Sequence, residues 1–273
     1  GIGVKWKAHE QVKVQGMIHD GAGSANPGGG TLAVYAVPAV GGAASFISPT
    51  GKDFHNDHSD IDVTARVDIL LAGDWNQWKD FTSWPGEELF AYVGGAIDYG
   101  VGETGSTSAA APDASNTSVL SYTVDAGLEY QGASLFVAFV GSTMYLDDAV
   151  PSAAAGGIDD FSPWGLVVQG GYNIGLDNGT SIEPFVRYEY INMDNWGNSV
   201  AATPATQDDD ASLLTFGANW YHARHSAKLT ADLVWALDPL HSNIAKSSGQ
   251  GLLTDDNGQD GQVAVRIQYQ MLF

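Results

Sequence analysis

Residues 261–273 read GQVAVRIQYQMLF, and apolar and polar side chains alternate along them. Val263, Val265, Ile267, Tyr269, Met271 and Phe273 fall on one face. Gln262, Ala264, Arg266, Gln268, Gln270 and Leu272 fall on the other. A period of two residues is that of a β-strand. A strand with one apolar face and an arginine among glutamines on the other suits a wall between lipid and water.

The same period recurs upstream. In AKLTADLVWALD, Leu229, Ala231, Leu233, Trp235 and Leu237 oppose Lys228, Thr230, Asp232 and Asp238. In SIEPFVRYEY, Ile182, Pro184, Val186, Tyr188 and Tyr190 oppose Glu183, Arg187 and Glu189. In DIDVTARVDILL, Ile61, Val63, Ala65, Val67, Ile69 and Leu71 oppose Asp62, Thr64, Arg66 and Asp68. SVLSYTVDAGLEY sets Leu120, Tyr122, Val124, Ala126 and Leu128 against Ser121, Thr123, Asp125 and Glu129. ASLFVAFVGSTMYL has no clear polar face, and its phase stays open. About eleven such segments of roughly ten residues predict tilted membrane-spanning strands.

Composition narrows the reading. Hydrophobic residues make up 44% of 273 positions but are dispersed, and mean hydropathy is close to zero. The longest apolar stretch, LAVYAVPAVGGAASFI, is broken by Pro38, Gly41 and Gly42, so no membrane helix of ~20 apolar residues is present. A chain of this kind spans a bilayer only as a closed barrel. The expected fold is all-β: one transmembrane antiparallel up-and-down barrel domain over residues 1–273, with no linker dividing it. Thirty-four glycines and 11% aromatics suit its turns and interfacial girdles. Trp6, Trp164, Trp220, Trp235, Tyr188, Tyr190 and Tyr269 lie in phase with the apolar positions. With no cysteine, neither disulfides nor thiolate metal sites can form. A formal charge of −21 excludes nucleic acid as a partner, because phosphate binding needs clustered Lys and Arg.

Connections alternate in length. HEQ near residue 10, QGA near 132, GLDNGT near 177 and ARHSA near 225 are short and rich in turn residues. Long polar stretches lie near 20–60, 102–117, 147–160, 194–210 and 239–260. DWNQWKDFTSWPGEE, residues 74–88, stands where a short turn is expected, and its three tryptophans predict packing against another part of the molecule. If Phe273 ends on the periplasmic side, counting back places Gly1 on the outer side. Complete single-chain barrels have even strand numbers, so at least one strand is expected upstream and the chain reads as the C-terminal part of a barrel of 12 to 18 strands. A strand pair hidden in residues 21–60 would leave that parity unchanged.

Several of these stretches together carry a resemblance. SYTVDAGLEYQGASLFVAFVGS (121–142), GLVVQGGYNIGLDNGTSIEPFVRYEYIN (165–192), LLTFGANWYHARHSAKLTADLVWALDP (213–239) and the terminal QYQMLF are similar, in order, to the phosphate-selective porin O and P family. GIGVKWKAHEQVKVQGMIHDG (1–21) resembles a porin hairpin more generally, and the terminal aromatic resembles the closing strand of an outer-membrane barrel. The resemblance implies a bacterial outer-membrane porin, a homotrimer in contact with outer-membrane lipid and lipopolysaccharide, passing small hydrophilic solutes and ions without a cofactor. Anion-selecting members line the pore with basic residues, whereas this chain has 11 Lys and Arg in all.

Assigning faces by phase gives the candidate pore-lining residues: Lys5, Lys7, Lys13, Arg66, Asp68, Asp125, Glu129, Glu183, Arg187, Glu189, Lys228, Asp232 and Arg266. They suit two compatible readings, mutually neutralising ion pairs that stiffen the wall and a transverse field that sieves polar solutes where the charges line the narrowest point. Further acids at Asp147, Asp148, Asp159, Asp160, Asp208 to Asp210, Asp255, Asp256 and Asp260 lie in presumed loops, as solvated surface or as oxygen ligands for Ca²⁺. His55, Asp57, His58 and Asp60 have ligand chemistry but no strong metal spacing, so no metal site is assigned. An acidic mouth predicts weak cation preference or little charge preference. Enzymatic chemistry is not expected: there is no G-x-S-x-G element, and the histidines fall mostly in predicted turns and loops. The rival readings are a plugged barrel serving as a surface scaffold, and a soluble β-sandwich with the same strand period.

Overall fold

The structure, a computed structural model, describes residues 1–19, 35–37, 45–47, 61–79, 82–104, 115–146, 160–192, 194, 210–240, 252 and 261–272. The strands are β1 (Ile2–His9), β2 (Val12–His19), β3 (Tyr35–Val37), β4 (Ser45–Ile47), β5 (Ile61–Ala72), β6 (Phe90–Thr104), β7 (Ser115–Tyr130) and β8 (Ala133–Leu146). They continue as β9 (Asp160–Phe161), β10 (Trp164–Tyr172), β11 (Ile174–Gly175), β12 (Ser181–Asn192), β13 (Asp210–Tyr221), β14 (Ala227–Ala236) and β15 (Val263–Met271). A single turn of 3₁₀-helix covers Gln77–Lys79. No helix among the described residues is long and apolar enough to cross a membrane.

All the long strands join one antiparallel sheet in the order β1-β2-β5-β6-β7-β8-β10-β12-β13-β14-β15, with β9 on β8 and β11 on β12. Apart from the short β3, β4, β9 and β11, each strand pairs with the next along the chain, so the topology is up-and-down. The pair β3–β4 makes a separate two-stranded sheet, so residues 21–60 add nothing to the main ladder among the described residues. Closure, expected for a barrel, is not present: β1 pairs with β2 and β15 with β14, leaving two free edges.

Register decides which side chains share a face. One row of partners runs Val12, Ile69, Val93, Ala126, Val137, Val168, Tyr188, Leu214, Trp235, Val263, apolar at every strand it crosses. The adjacent row runs Lys13, Asp68, Gly94, Asp125, Ala138, Val167, Glu189, Leu213, Ala236. The open phase of ASLFVAFVGSTMYL is thereby fixed. Leu135, Val137 and Phe139 share the apolar face, and Ser134, Ala138 and Ser142 face the other way.

Burial on the two faces is the reverse of that in a water-soluble sheet. Ile97 and Ile267 on the apolar face are 55% and 74% exposed, while Asp68 and Glu183 on the polar face are 0% and 4% exposed. Trp6, Trp164, Trp220, Trp235 and Tyr269 are exposed on the apolar face. Trp164 packs against Tyr190 (5.0 Å between ring centroids) and Phe139 (5.6 Å).

The short connections gather at one end of the sheet. Gln131 and Gly132 turn β7 into β8 with φ of 47° and 96°, as a two-residue hairpin with both central residues left-handed requires. Aromatic rings also lie over cross-strand glycines at Tyr92–Gly127, Tyr122–Gly141 and Phe185–Gly217. A Cβ on Gly127 would stand 2.4 Å from the Tyr92 ring. Gly127→Val is therefore expected to displace Tyr92 and lower stability by about 1–3 kcal/mol in urea unfolding of detergent-folded protein. At Gly95 a Cβ meets nothing closer than 3.6 Å, so Gly95→Ala should be neutral. Equal costs at the two positions would rule out the ring-over-glycine account.

Candidate functional site

The polar face carries all the lining residues expected from the sequence, as the register shows. Asp68, its most buried charge, belongs to a triad with Arg66 and Asp125 that bridges β5 and β7 over β6. Arg66 donates two hydrogen bonds to Asp125, from Nη1 to Oδ1 at 2.7 Å and from Nη2 to Oδ2 at 2.9 Å. Its Nη2 also lies 2.6 Å from Asp68 Oδ1, an ion-pair contact that lacks hydrogen-bond alignment. Gly94 is the cross-strand partner of both Asp68 and Asp125, and a Cβ there would meet Arg66 Nη2 at 2.4 Å. The missing side chain makes the room in which the three charges meet.

The remaining charges pair more locally. Arg266 grips its register partner Asp232 through Nε (2.7 Å) and Nη2 (2.9 Å). Arg187 Nε donates to Glu189 Oε2 at 3.0 Å, two residues along the same strand and hence on the same face. Lys228 is half-buried with its Nζ 5.9 Å from the Tyr221 ring. Glu129 is buried near the short-turn end, whereas Lys5 and Lys7 are exposed on the edge strand β1. The arginines on this face are thus paired with carboxylates.

Residues 73–79 and 82–89, between β5 and β6, lie on the polar side of the sheet and form a strap. At one end Trp75 Nε1 donates to the Glu10 carbonyl at 2.7 Å, and Lys13 Nζ sits 3.9 Å from the Trp75 centroid and 4.9 Å from that of Trp78. Trp78 packs edge-on to Tyr92, joining Leu70 and Phe90. Further along, Thr82, Ser83 and Trp84 are buried. Tyr221 donates to Glu183 Oε2 at 2.6 Å, Thr82 Oγ1 lies 2.9 Å from the Tyr221 hydroxyl, and Asn219 Nδ2 donates to the same Glu183 oxygen at 2.9 Å. Trp84 meets Tyr221 and His225 edge-on, with Arg224 over its ring at 4.9 Å. Ser83 Oγ accepts from the Gly132 amide at 3.0 Å.

These contacts bend the sheet. The strap reaches both the β1–β2 turn and Tyr221 of β13 on the charged face, and that face is buried while the apolar face is exposed, so the sheet is curled with its charged face inward.

At the opposite end the inner face turns apolar. Leu240 and Leu252, from the connection after β14, are buried on Ala211, Leu213, Val234, Ala236 and Ala264. The sequence predicts only an outer polar loop for that connection, whereas Leu240 and Leu252 fold onto the wall. The sequence reading also left out Tyr92, Tyr221 and Thr82, whose roles depend on the strap. His19, grouped with turn and loop histidines, ends β2 on the polar face beside Asp62 and Asp98. The acids proposed for Ca²⁺ lie outside the described residues, apart from Asp160 and Asp210, as do His55, Asp57, His58 and Asp60.

No protein-family model, no curated protein and no solved structure matches this chain. The reading of the site therefore rests on its geometry and chemistry.

Two outcomes follow from that geometry. Arg66→Met leaves two buried carboxylates uncompensated and should cost about 3–5 kcal/mol, whereas Arg66→Met with Asp68→Leu and Asp125→Leu should recover most of the loss. Urea unfolding of the two proteins in detergent checks this, and an equally unstable triple variant would refute it. Tyr221→Phe with Thr82→Val removes hydrogen bonds on a carboxylate and should weaken strap docking by about 1.5–3 kcal/mol. Trypsin cleavage after Lys79 should accelerate while the sheet stays folded; an unchanged rate would mean that the strap is held elsewhere.

Proposed function

We propose that this chain forms the wall of a bacterial outer-membrane β-barrel channel for passive diffusion of ions and small hydrophilic solutes. The inversion of burial carries this reading: a continuous apolar row faces outward across the sheet while carboxylates are buried and their guanidinium partners half-buried on its concave side. In water such an outer face would drive aggregation, and in hydrocarbon it is at its lowest free energy. A β-sandwich would need a second sheet on that apolar face, and the exposed row argues against one. Because lipid cannot satisfy free strand edges, the reading requires β1 and β15 to be closed by pairing, with each other or with further strands.

Charge pairing on the wall supports little charge preference, and the acidic excess of the whole chain supports a weak cation preference. Assembly as a homotrimer within lipid and lipopolysaccharide belongs to the same reading, through the porin resemblance. The strap favours one alternative, a plugged barrel serving as a surface scaffold, because residues 73–79 and 82–89 lie across the short-turn end of the concave face.

Single-channel conductance of the detergent-purified protein in a planar bilayer, with the reversal potential read under a salt gradient, tests the proposal. Stable steps with a reversal potential near zero or mildly cation-selective are expected. Strong anion selectivity would overturn the charge argument. A folded, inserted protein that gives no steps until residues 76–85 are replaced by a short glycine linker would establish the plugged form.

A further inference from the structure

We propose that His19, Asp62 and Asp98, together with Thr64, form a binding site for one first-row divalent cation on the inner wall. The residues come from three adjacent strands, β2, β5 and β6, near the end with the long connections. His19 is the register partner of Asp62, and Thr64 that of Asp98. One ligand atom from each of the histidine and the two aspartates lies within 4.8 Å of the others. Three atoms so spaced can surround a point about 2.8 Å from each, so each ligand would move inward by about 0.7 Å to reach the usual nitrogen and oxygen bond lengths to zinc.

The contacts inside the cluster fit an ion. His19 Nε2 is 3.3 Å from Asp98 Oδ1 and 2.8 Å from Thr64 Oγ1; because Thr64 gives its own proton to Asp98, Nε2 donates to Thr64 and carries a ring proton that a bound ion would replace. Two ligands about 2.1 Å from one ion at tetrahedral angles stand about 3.4 Å apart, close to the imidazole–carboxylate spacing here. On the other side of the ring Nδ1 lies 3.7 Å from Asp62 Oδ2, so the imidazole stands within reach of both carboxylates. Two carboxylates and a neutral imidazole bring a charge of −2 to match a divalent cation.

The scaffold holds these groups in place. The His19 and Asp62 side chains are nearly buried while Asp98 remains a third exposed, leaving a path for entry and room for water. Gly100 faces Asp62 in the register, and a Cβ there would stand 2.1 Å from Asp62 Oδ1. The carboxylate occupies the space of an absent side chain. The imidazole donor favours a first-row ion over Ca²⁺, which prefers an all-oxygen shell.

The test uses the full chain, folded in detergent and stripped with a chelator, so that binding is read independently of conductance. Calorimetric titration with Zn²⁺ should give one ion per chain. His19→Gln and Asp98→Asn should each weaken it at least tenfold, and Glu10→Gln, at an exposed turn, should leave it unchanged. X-ray absorption of the zinc-loaded wild-type protein should show an imidazole nitrogen, a readout that does not depend on variants folding. An all-oxygen shell, no stoichiometric binding, or equal affinity in all three variants would overturn the site. A histidine that only exchanges a proton between the two carboxylates would also overturn it, appearing as a titrating ring signal unaffected by Zn²⁺.

Discussion

Everything in this structure depends on one constraint: the backbone of each strand is satisfied only by its neighbours, and its side chains must then divide between two opposed environments. Here the division is inside out. Carboxylates that would be costly to bury alone are buried against arginines, a tyrosine and each other, while valine, isoleucine and leucine are left facing outward. Buried charge on the concave side is tolerable because it is paired.

The inner face is not uniform around its arc. Strands β2 to β7 carry the guanidinium–carboxylate triad and the histidine–aspartate cluster, while β12 to β15 combine single ion pairs with an apolar patch covered by Leu240 and Leu252. Glycine at position 94 is what lets the triad assemble, since the charged groups meet over bare backbone. Small residues on this face thus do positional work for charges on the neighbouring strands.

Much of this was readable from alternation alone. The phases of β5, β7, β12, β14 and β15 each gave the correct face, because polar and apolar residues there differ sharply in solvation. Strand β8 was not readable: Ala138 and Val140 on one face and Val137 and Phe139 on the other are alike in hydropathy, so only pairing with β7 fixes its phase. The strap was visible as a tryptophan-rich anomaly, yet its partners Glu183, Tyr221 and His225 are remote in sequence, and no local period points to them. His19 was missed for a related reason. It sits at the last position of β2, where periodicity fades into loop, and its meaning comes from two other strands.

The strap has a consequence for how the molecule is assembled. Thr82 and Tyr221 are 139 positions apart, and their contact exists only once β6 through β13 have paired and curled. Closing so long a loop is entropically costly, and the contact gains nothing from a partly formed ladder. Docking of Trp84 between Tyr221, His225 and Arg224 is thus a late event that records completion of the curl. Until then its indole, together with the Thr82 and Ser83 hydroxyls, has no partner on the far strands. The connection that in an ordinary hairpin would be the first part to form is here among the last.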